Sequence, residues 1–163
     1  DGSVVGIGLD EDPERIDYEP HYDKITGQGQ VQSYEPIMMD SDGDVTHTLL
    51  RAAGYVKDNR LLPSGFDKES VSTDVPDVQV AGAAMNDDDF IGGSDVVKYR
   101  ISNIGSSNLT ITAELQYQAL SYGHLQNLFA DADLPEVARF QRMFKSAAIR
   151  VETIASDSMS VVP

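Results

Sequence analysis

The segment LTITAELQYQAL (residues 109–120) constrains the fold more than any other part of the chain. Up to residue 118 its odd-numbered positions are apolar or aromatic and its even-numbered positions are polar. A period of two with one polar side predicts a half-buried strand of an antiparallel sheet. The preceding segment SDVVKYRI (residues 94–101) ends in a similar alternation and is separated from it by the turn-forming run NIGSSN. We therefore expect residues 94–101 and 109–120 to pair as a hairpin.

Two helices are predicted after this strand. SYGHLQNLFA (residues 121–130) carries apolar residues at helical spacing. PEVARFQRMFKSA (residues 135–147) begins with Pro135, which favours a first helical turn, and Asp133 is the expected N-cap. AIRVETIA (residues 148–155) then predicts a last strand.

The first hundred residues carry weaker patterns. Residues 1–30 are rich in Gly, Pro, Asp and Glu and predict an extended N-terminal arm. VQSYEPIMMD (residues 31–40) predicts a strand that Pro36 interrupts. THTLLRAAGYVK (residues 46–57) fits a short helix closed by Gly54, or a strand, and VQVAGAAM (residues 78–85) fits a short strand.

Together these elements predict a mainly β fold, an antiparallel β-sandwich with one or two short helices near the C-terminus. The expected organisation is the arm at residues 1–30 followed by a single β-rich domain at residues 31–163.

The charge of the chain restricts its partners. Lys and Arg number 12 against 27 Asp and Glu, a formal charge of −15. A field of this sign repels nucleic-acid phosphates and anionic lipid, so neither is an expected partner. No apolar run is long enough to span a membrane. The absence of cysteine excludes disulfides, thiolate metal sites and haem attachment by C-x-x-C-H within this chain.

Two acidic loops are candidate cation sites. The first loop carries Asp40, Asp42 and Asp44 around Gly43. The second loop carries the set Asp87, Asp88, Asp89 and Asp95. Clustered carboxylates suit a hard cation, and Ca²⁺ is the candidate ion; no other cofactor is expected. The alternative is a pair of solvated acidic turns without metal. The first loop is not an EF-hand, because Val45 stands at its sixth position and Arg51 at its twelfth.

Catalytic motifs are absent, and we expect a domain that is not an enzyme. The three histidines, His21, His47 and His124, are scattered, and no Walker A, G-x-S-x-G or G-x-G-x-x-G pattern occurs. A hydrolase would require a histidine and a carboxylate to converge in a deep pocket. Several aromatic residues fit either a sugar-binding face or the core, namely Tyr99, Tyr117, Tyr122 and Phe129.

The run KDNRLLPSGF (residues 57–66) opens a long loop that extends to residue 77. Arg60 is flanked by Asn59 and two leucines, and a guanidinium can pair with a carboxylate through two hydrogen bonds. We expect Arg60 to tie this loop to carboxylates of the acidic loops, and so to be structural.

The order of LLRAAGYVKDNRLLPSGFDK, VAGAAMNDDDFIGGSDVVKYRI and ITAELQYQALSYGHLQNLF resembles the C-terminal region of secreted bacterial multihaem c-type cytochrome-like proteins. The resemblance covers roughly positions 31–147, and KDNRLLPSGF is its most specific part. Because this chain has no C-x-x-C-H, no haem-binding residue is implied. The resemblance implies a periplasmic or extracellular location and a non-catalytic accessory or interaction role beside a redox module. The implied partners are other proteins or upstream domains of the same polypeptide. The alternative is a calcium-stabilised ligand- or glycan-binding β-sandwich domain.

Overall fold

The computed structural model describes residues 18–71, 79–102, 105, 108–148 and 151–161. The described residues fall into two compact units that meet in the chain between Arg100 and Ile101. The described residues begin at Tyr18, so the predicted arm at residues 1–30 lies partly outside them.

The first unit contains a three-stranded antiparallel sheet of order β3–β2–β4. Strand β2 (Pro36–Met39) lies between β3 (Val45–Thr46) and β4 (Gly54–Asp58), with a register irregularity between Ile37 and Met38. The sequence predicted a strand at residues 31–40 that Pro36 interrupts, but the strand begins at Pro36, which lies opposite Asp58, so the predicted interruption is wrong. Residues 46–57 form a short 3₁₀ turn at Leu49–Arg51 followed by β4, so the strand alternative applies to the second half of this segment.

A tight acidic turn joins β2 to β3. The Asp40 Oδ1 accepts the backbone N–H groups of Asp42 and Asp44, each at 3.0 Å. Gly43 has a φ of 89°, a left-handed conformation that costs glycine little. The spacing D-x-D-G-D thus forms a local turn that sets the register of the hairpin.

The predicted hairpin of residues 94–101 with 109–120 is wrong. Strand β5 (Lys98–Tyr99) pairs in parallel with β1 (Lys24–Ile25), and β6 (Leu109–Tyr117) pairs with a strand near the C-terminus. Alternation in a sequence predicts which residues are extended, but it carries no information on which edge they join.

The segment expected to be a strand at residues 78–85 is mostly a 3₁₀ helix, Gly82–Asn86. Only Ala81 bridges β4, where it exchanges two backbone hydrogen bonds of 3.0 Å with Asp58. Gly82 then takes a φ of 75° and turns the chain away from the sheet. The small core of this unit forms here, where Val80, Ala84 and Phe90 are buried.

The loop at residues 61–66 packs against the segment that follows Phe90. The Gly93 N–H donates to the Leu62 carbonyl at 2.9 Å. At Gly92 a Cβ atom would lie 2.4 Å from the Phe66 carbonyl oxygen, so only glycine fits this approach. The two backbones are therefore in direct contact, and we call this contact the glycine clasp.

The second unit consists of a two-stranded ribbon and a pair of helices. The ribbon joins β6 to β7 (Glu152–Val161) in antiparallel register, from Leu109 opposite Val161 to Tyr117 opposite Glu152. Helix α1 (Tyr122–Ala130) is capped by the Ser121 hydroxyl, and α2 (Pro135–Ser146) starts with proline as predicted. The N-cap of α2 is Leu134, not Asp133. The last strand begins later than predicted and extends to Val161.

Three aromatic rings join the two helices. The ring centroids of Phe129, Phe140 and Phe144 lie 6.0–6.3 Å apart. Antiparallel sheets and two helices near the C-terminus match the coarse prediction, and the molecule is a mixed α and β structure. The described residues show no closed sandwich.

Candidate functional site

A cleft of about 430 Å³ in the first unit brings together a histidine, four aspartates and a lysine. It is lined by residues from the arm, the 3₁₀ helix, the second acidic loop and β5, namely His21, Asp23, Ala83, Asn86, Asp87, Asp88, Asp89 and Lys98. A histidine and several carboxylates thus converge here, which is the arrangement that an enzyme would require. Whether the histidine can act depends on its hydrogen bonds.

The buried imidazole of His21 is held on both ring nitrogens. Its Nδ1 accepts from the side-chain amides of Gln32 and Asn59, at 2.9 and 3.0 Å. The orientation of each amide is fixed by backbone partners. Gln32 Oε1 accepts the Tyr22 N–H at 2.8 Å, and Asn59 Oδ1 accepts the Glu35 N–H at 2.9 Å. The amide nitrogens must therefore face the imidazole.

This network determines the tautomer of the neutral His21 ring. Because Nδ1 accepts two N–H groups, the ring proton of a neutral imidazole lies on Nε2, which donates to Asp87 Oδ2 at 3.0 Å. Neither ring nitrogen is then available as a general base or as a metal ligand. The ring also packs edge-on against Phe90, with centroids 5.0 Å apart. The geometry makes His21 a structural residue that positions the Asp87 carboxylate.

Asp87 and Asp95 are also held by hydrogen bonds. Burial raises the pKa of Asp87, but the Asp89 N–H and the His21 ring outweigh burial, so its pKa lies below the usual value. Asp95 Oδ2 accepts the Tyr34 hydroxyl at 2.5 Å and the Gln32 amide at 3.3 Å. Burial, with the hydrogen bond to Asp95, raises the pKa of Tyr34.

Lys98 stands between two of the cleft carboxylates. Its ammonium lies 2.6 Å from Asp23 Oδ1 and 2.9 Å from Asp89 Oδ2. These hydrogen bonds, the one to Asp23 first, raise the pKa of Lys98 above its usual value. The ammonium occupies the position that a cation bridging Asp23 and Asp89 would take. Repulsion among the acidic residues of the second loop is thus partly relieved by a lysine of the same chain.

The predicted cation ligands do not form one site in the described residues. Two sets of three side chains bring ligand atoms within 4.8 Å: His21, Asp87 and Asp95, and Asp23, Asp87 and Asp89. Asp88 is exposed at the cleft, and the first loop with Asp40, Asp42 and Asp44 belongs to neither set. Calcium binding at either loop stays a prediction.

Sequence reasoning missed a second buried polar cluster, which surrounds Lys57. Its ammonium donates to the carbonyls of Glu19 and Ser33, at 2.7 and 2.8 Å, and lies 3.7 Å from Glu35 Oε1. Burial lowers the pKa of Lys57 to about 8 and raises that of Glu35. The signal in the sequence was a run of three polar residues, Lys57 to Asn59, at the end of a strand.

Arg60 pairs locally. Its guanidinium donates to both oxygens of Asp58, at 2.9 and 2.5 Å, and half of the side chain is exposed. The bidentate geometry matches the prediction, but the partner lies two residues away and not in an acidic loop. Besides Lys98, a second lysine reaches the second loop: the Lys68 ammonium donates to the carbonyls of Ala84 and Asp87.

Comparison with protein-family models, with curated proteins and with solved structures finds no match to this chain. Among the described residues, no helix combines the length and the apolar composition required to cross a membrane. The resemblance to the C-terminal region of multihaem cytochrome-like proteins therefore stays a prediction.

Proposed function

We propose that the chain is a non-catalytic interaction domain, and that its second unit docks onto a partner. One observation carries the proposal. Among the described residues from Ile101 to Val161, Leu125 is the single buried hydrophobic residue. A ribbon of two strands is at best marginally stable without further strands or a packed layer. A partner surface that covers the ribbon would therefore supply the packed layer that two strands alone lack.

The ribbon presents the surface to be covered. One of its faces carries Leu109, Ile111 and Leu115 from β6 and Met159 and Val161 from β7, and Asp157 interrupts the apolar residues of β7 on this face. The opposite face carries threonines, serines and Glu114. Leu115 is 40% exposed and Met159 is 60% exposed. We call the face that carries Leu115 and Met159 the apolar face of the ribbon. Contiguous exposed apolar residues beside polar ones mark interaction surfaces.

The partner that fits this face is an apolar segment without excess negative charge. The ribbon contains Glu114, Glu152 and Asp157 and no basic residue, so an acidic partner would be repelled. A segment that adds a strand to the open edge would also pair the free backbone groups. A neighbouring domain of the same polypeptide is the occupant we propose, because covalent linkage gives it a high effective concentration.

The context we propose is an exported bacterial protein in which this domain accompanies a redox module. The support is the order of the sequence runs that resemble that family and the hydrogen bonds that occupy both ring nitrogens of His21. His21 has no free ring nitrogen, and the residues that line the cleft include no serine or threonine nucleophile. Calcium-stabilised binding of a ligand or glycan remains the alternative proposal.

The test places a photo-crosslinking residue at position 115 of the full polypeptide. The matched control is position 112, on the polar face of the same strand. We expect an adduct to a neighbouring domain from position 115 and little from position 112. Equal adducts from the two positions, or none from position 115, would contradict docking on the apolar face.

Stability measurements on the 163-residue chain complete the test. Leu115→Ser combined with Met159→Ser should change the free energy of unfolding by less than about 0.5 kcal/mol, because both side chains are exposed. Leu125→Ala should cost about 2–5 kcal/mol, because Leu125 is buried. A loss above about 1 kcal/mol in the double variant would mean that the chain itself already covers this face.

A further inference from the structure

Residues 18–35, which are the described end of the predicted arm and the five residues after it and are together called the arm, are fastened to the rest of their unit mainly by polar groups. Among the described side chains of the arm, Ile25 is the one buried apolar residue. Its regular structure is limited to the two residues of β1. Segments with few buried apolar contacts open locally at a lower free energy than the core around them. The arm is therefore a candidate for local opening in the folded protein.

Both ends of this segment meet the same two side chains of the first unit. Near the start of the arm, the Lys57 ammonium binds the Glu19 carbonyl. Near its end, the Ser33 carbonyl accepts from Lys57 at 2.8 Å and from the Asn59 amide at 2.9 Å. Asn59 also accepts the Glu35 N–H. Lys57 and Asn59 thus act as a common fastening point for a segment of 18 residues.

The fastening point contains two buried ionisable groups, Lys57 and Glu19, and one that is partly exposed, Glu35. Lys57 is 1% exposed and Glu19 is 2% exposed. Glu35 approaches the ammonium at 3.7 Å, and Glu19 Oε1 has no hydrogen-bond partner. The other Glu19 oxygen accepts the Tyr22 hydroxyl at 2.7 Å. The Glu35 carboxylate thus lies within ion-pair distance of the Lys57 ammonium, whereas Glu19 contacts that ammonium through its backbone carbonyl.

Other charged groups nearby are already paired. The next ionisable groups along the network are His21 and Asp87, beyond the Asn59 amide, and they bind each other. On β4 itself Asp58 pairs with Arg60. The charge at the fastening point therefore depends on three ionisable side chains, which are Lys57 itself, Glu35 and Glu19.

We propose that the arm is a strap that detaches locally from β4, and that the protonation of Lys57 and Glu35 sets how often it detaches. The charged forms of both groups prefer water, and detachment returns both to water. Attachment is therefore weakest when both groups are charged. It strengthens when either group becomes neutral.

The direction on each side of neutral pH follows from proton linkage. The attached state lowers the pKa of Lys57 to about 8, so above pH 8 it binds fewer protons than the detached state. Attachment then strengthens as the pH rises, until Lys57 is neutral in the detached state as well. The attached state raises the pKa of Glu35, so in acid it holds a proton that the detached state has lost. Attachment then strengthens as the pH falls through the raised pKa. The strap opens most often between these two limits.

The experiment is hydrogen exchange of the full chain, read by mass spectrometry on peptides from residues 18–35 at several pH values. After correction for the intrinsic pH dependence of exchange, we expect an opening constant with a maximum near neutral pH. One proton per opening changes this constant by at most tenfold per pH unit. The fall begins near pH 8, where Lys57 loses its proton in the attached state, so by pH 9.5 the constant should have fallen by up to about thirtyfold. A flat profile, or a minimum near neutral pH, would overturn the proposal.

Two variants assign the two sides of the profile. Lys57→Met should abolish the alkaline fall in opening and move the acid side to higher pH, because the ammonium no longer lowers the pKa of Glu35. Glu35→Gln should abolish the acid side and move the alkaline fall to lower pH, because the carboxylate no longer raises the pKa of Lys57. Lys24→Met is the control, because Lys24 lies in the arm and is exposed; it should leave both sides unchanged. Exchange of the Phe90 region shows whether a variant is folded. If the alkaline fall persists in folded Lys57→Met, or the acid fall persists in folded Glu35→Gln, the proposal is wrong. If Lys57→Met does not fold, the parent profile and Glu35→Gln decide.

Discussion

The glycine clasp leads to the sharpest stability prediction. A Cβ atom at Gly92 would stand 2.4 Å from the Phe66 oxygen, 2.8 Å from the Phe66 nitrogen and 3.0 Å from the Pro63 oxygen. All three are backbone atoms, so no side chain can rotate away. Restoring an ordinary contact of 3.4 Å requires a shift of about 1 Å between the two segments.

The cost of Gly92→Ala can be estimated from this shift. Overpacking a close contact costs roughly 1–3 kcal/mol. The shift also endangers the hydrogen bond from Gly93 to Leu62, worth about 1 kcal/mol. We therefore expect a loss of about 2–4 kcal/mol in the stability of the first unit.

Two further glycines of the same unit serve as controls. Gly27→Ala places its Cβ 3.4 Å from the flexible Gln30 side chain and should change stability by less than about 0.5 kcal/mol. Gly65→Ala meets open space but has a φ of 85°, and should cost about 1–2 kcal/mol. The measurement is hydrogen exchange of the β4 amides across a urea series, which reports this unit alone. If Gly92→Ala behaves like Gly27→Ala, the clasp does not hold the loop.

Three more predictions can be checked by thermal or urea unfolding. Arg60→Ala should cost about 1–3 kcal/mol, because it leaves the buried Asp58 carboxylate without its two guanidinium hydrogen bonds; a change under 0.5 kcal/mol would show that the pair does not stabilise the fold. His21→Phe should cost at least about 2 kcal/mol, since it leaves buried amide and carboxylate groups without their ring partner; a change under 0.5 kcal/mol would refute the network. If the acidic loops bind calcium, millimolar Ca²⁺ should raise the melting temperature above that in chelator, and Asp40→Asn or Asp88→Asn should reduce the rise; equal melting temperatures would exclude the site.

Local sequence signals predicted the local elements of the second unit. Pro135 and the spacing of the phenylalanines identified α2, and the period of two identified β6 almost to its ends. These features depend on neighbours in the chain. The residues of β6 pair with residues 35 to 52 positions further on, across two helices, and no pattern in either strand specifies this partner.

The candidate site was less predictable for the same reason. The second acidic loop was identified as a candidate site, but its environment depends on His21, Gln32 and Lys98, which come from separate parts of the chain. Lys57 escaped notice because lysine is rarely buried, so a strand ending in Lys-Asp-Asn suggests a solvated end. Burial of that run follows from the arm, whose sequence shows no regular period.

The parallel pair of β1 and β5 has a consequence for how the first unit folds. Lys24 lies beside Lys98, so this contact closes a loop of more than seventy residues. Closing such a loop has a large entropic cost, and it becomes favourable only after the chain between the two strands is compact. We expect the hairpin of β2 and β3 and its pairing with β4 to form early, and β1 to join last. A rapid-mixing experiment with pulsed exchange should show Ile25 gaining protection after Val56. Deletion of the arm should speed unfolding by nearly the whole loss in equilibrium stability and leave the folding rate almost unchanged.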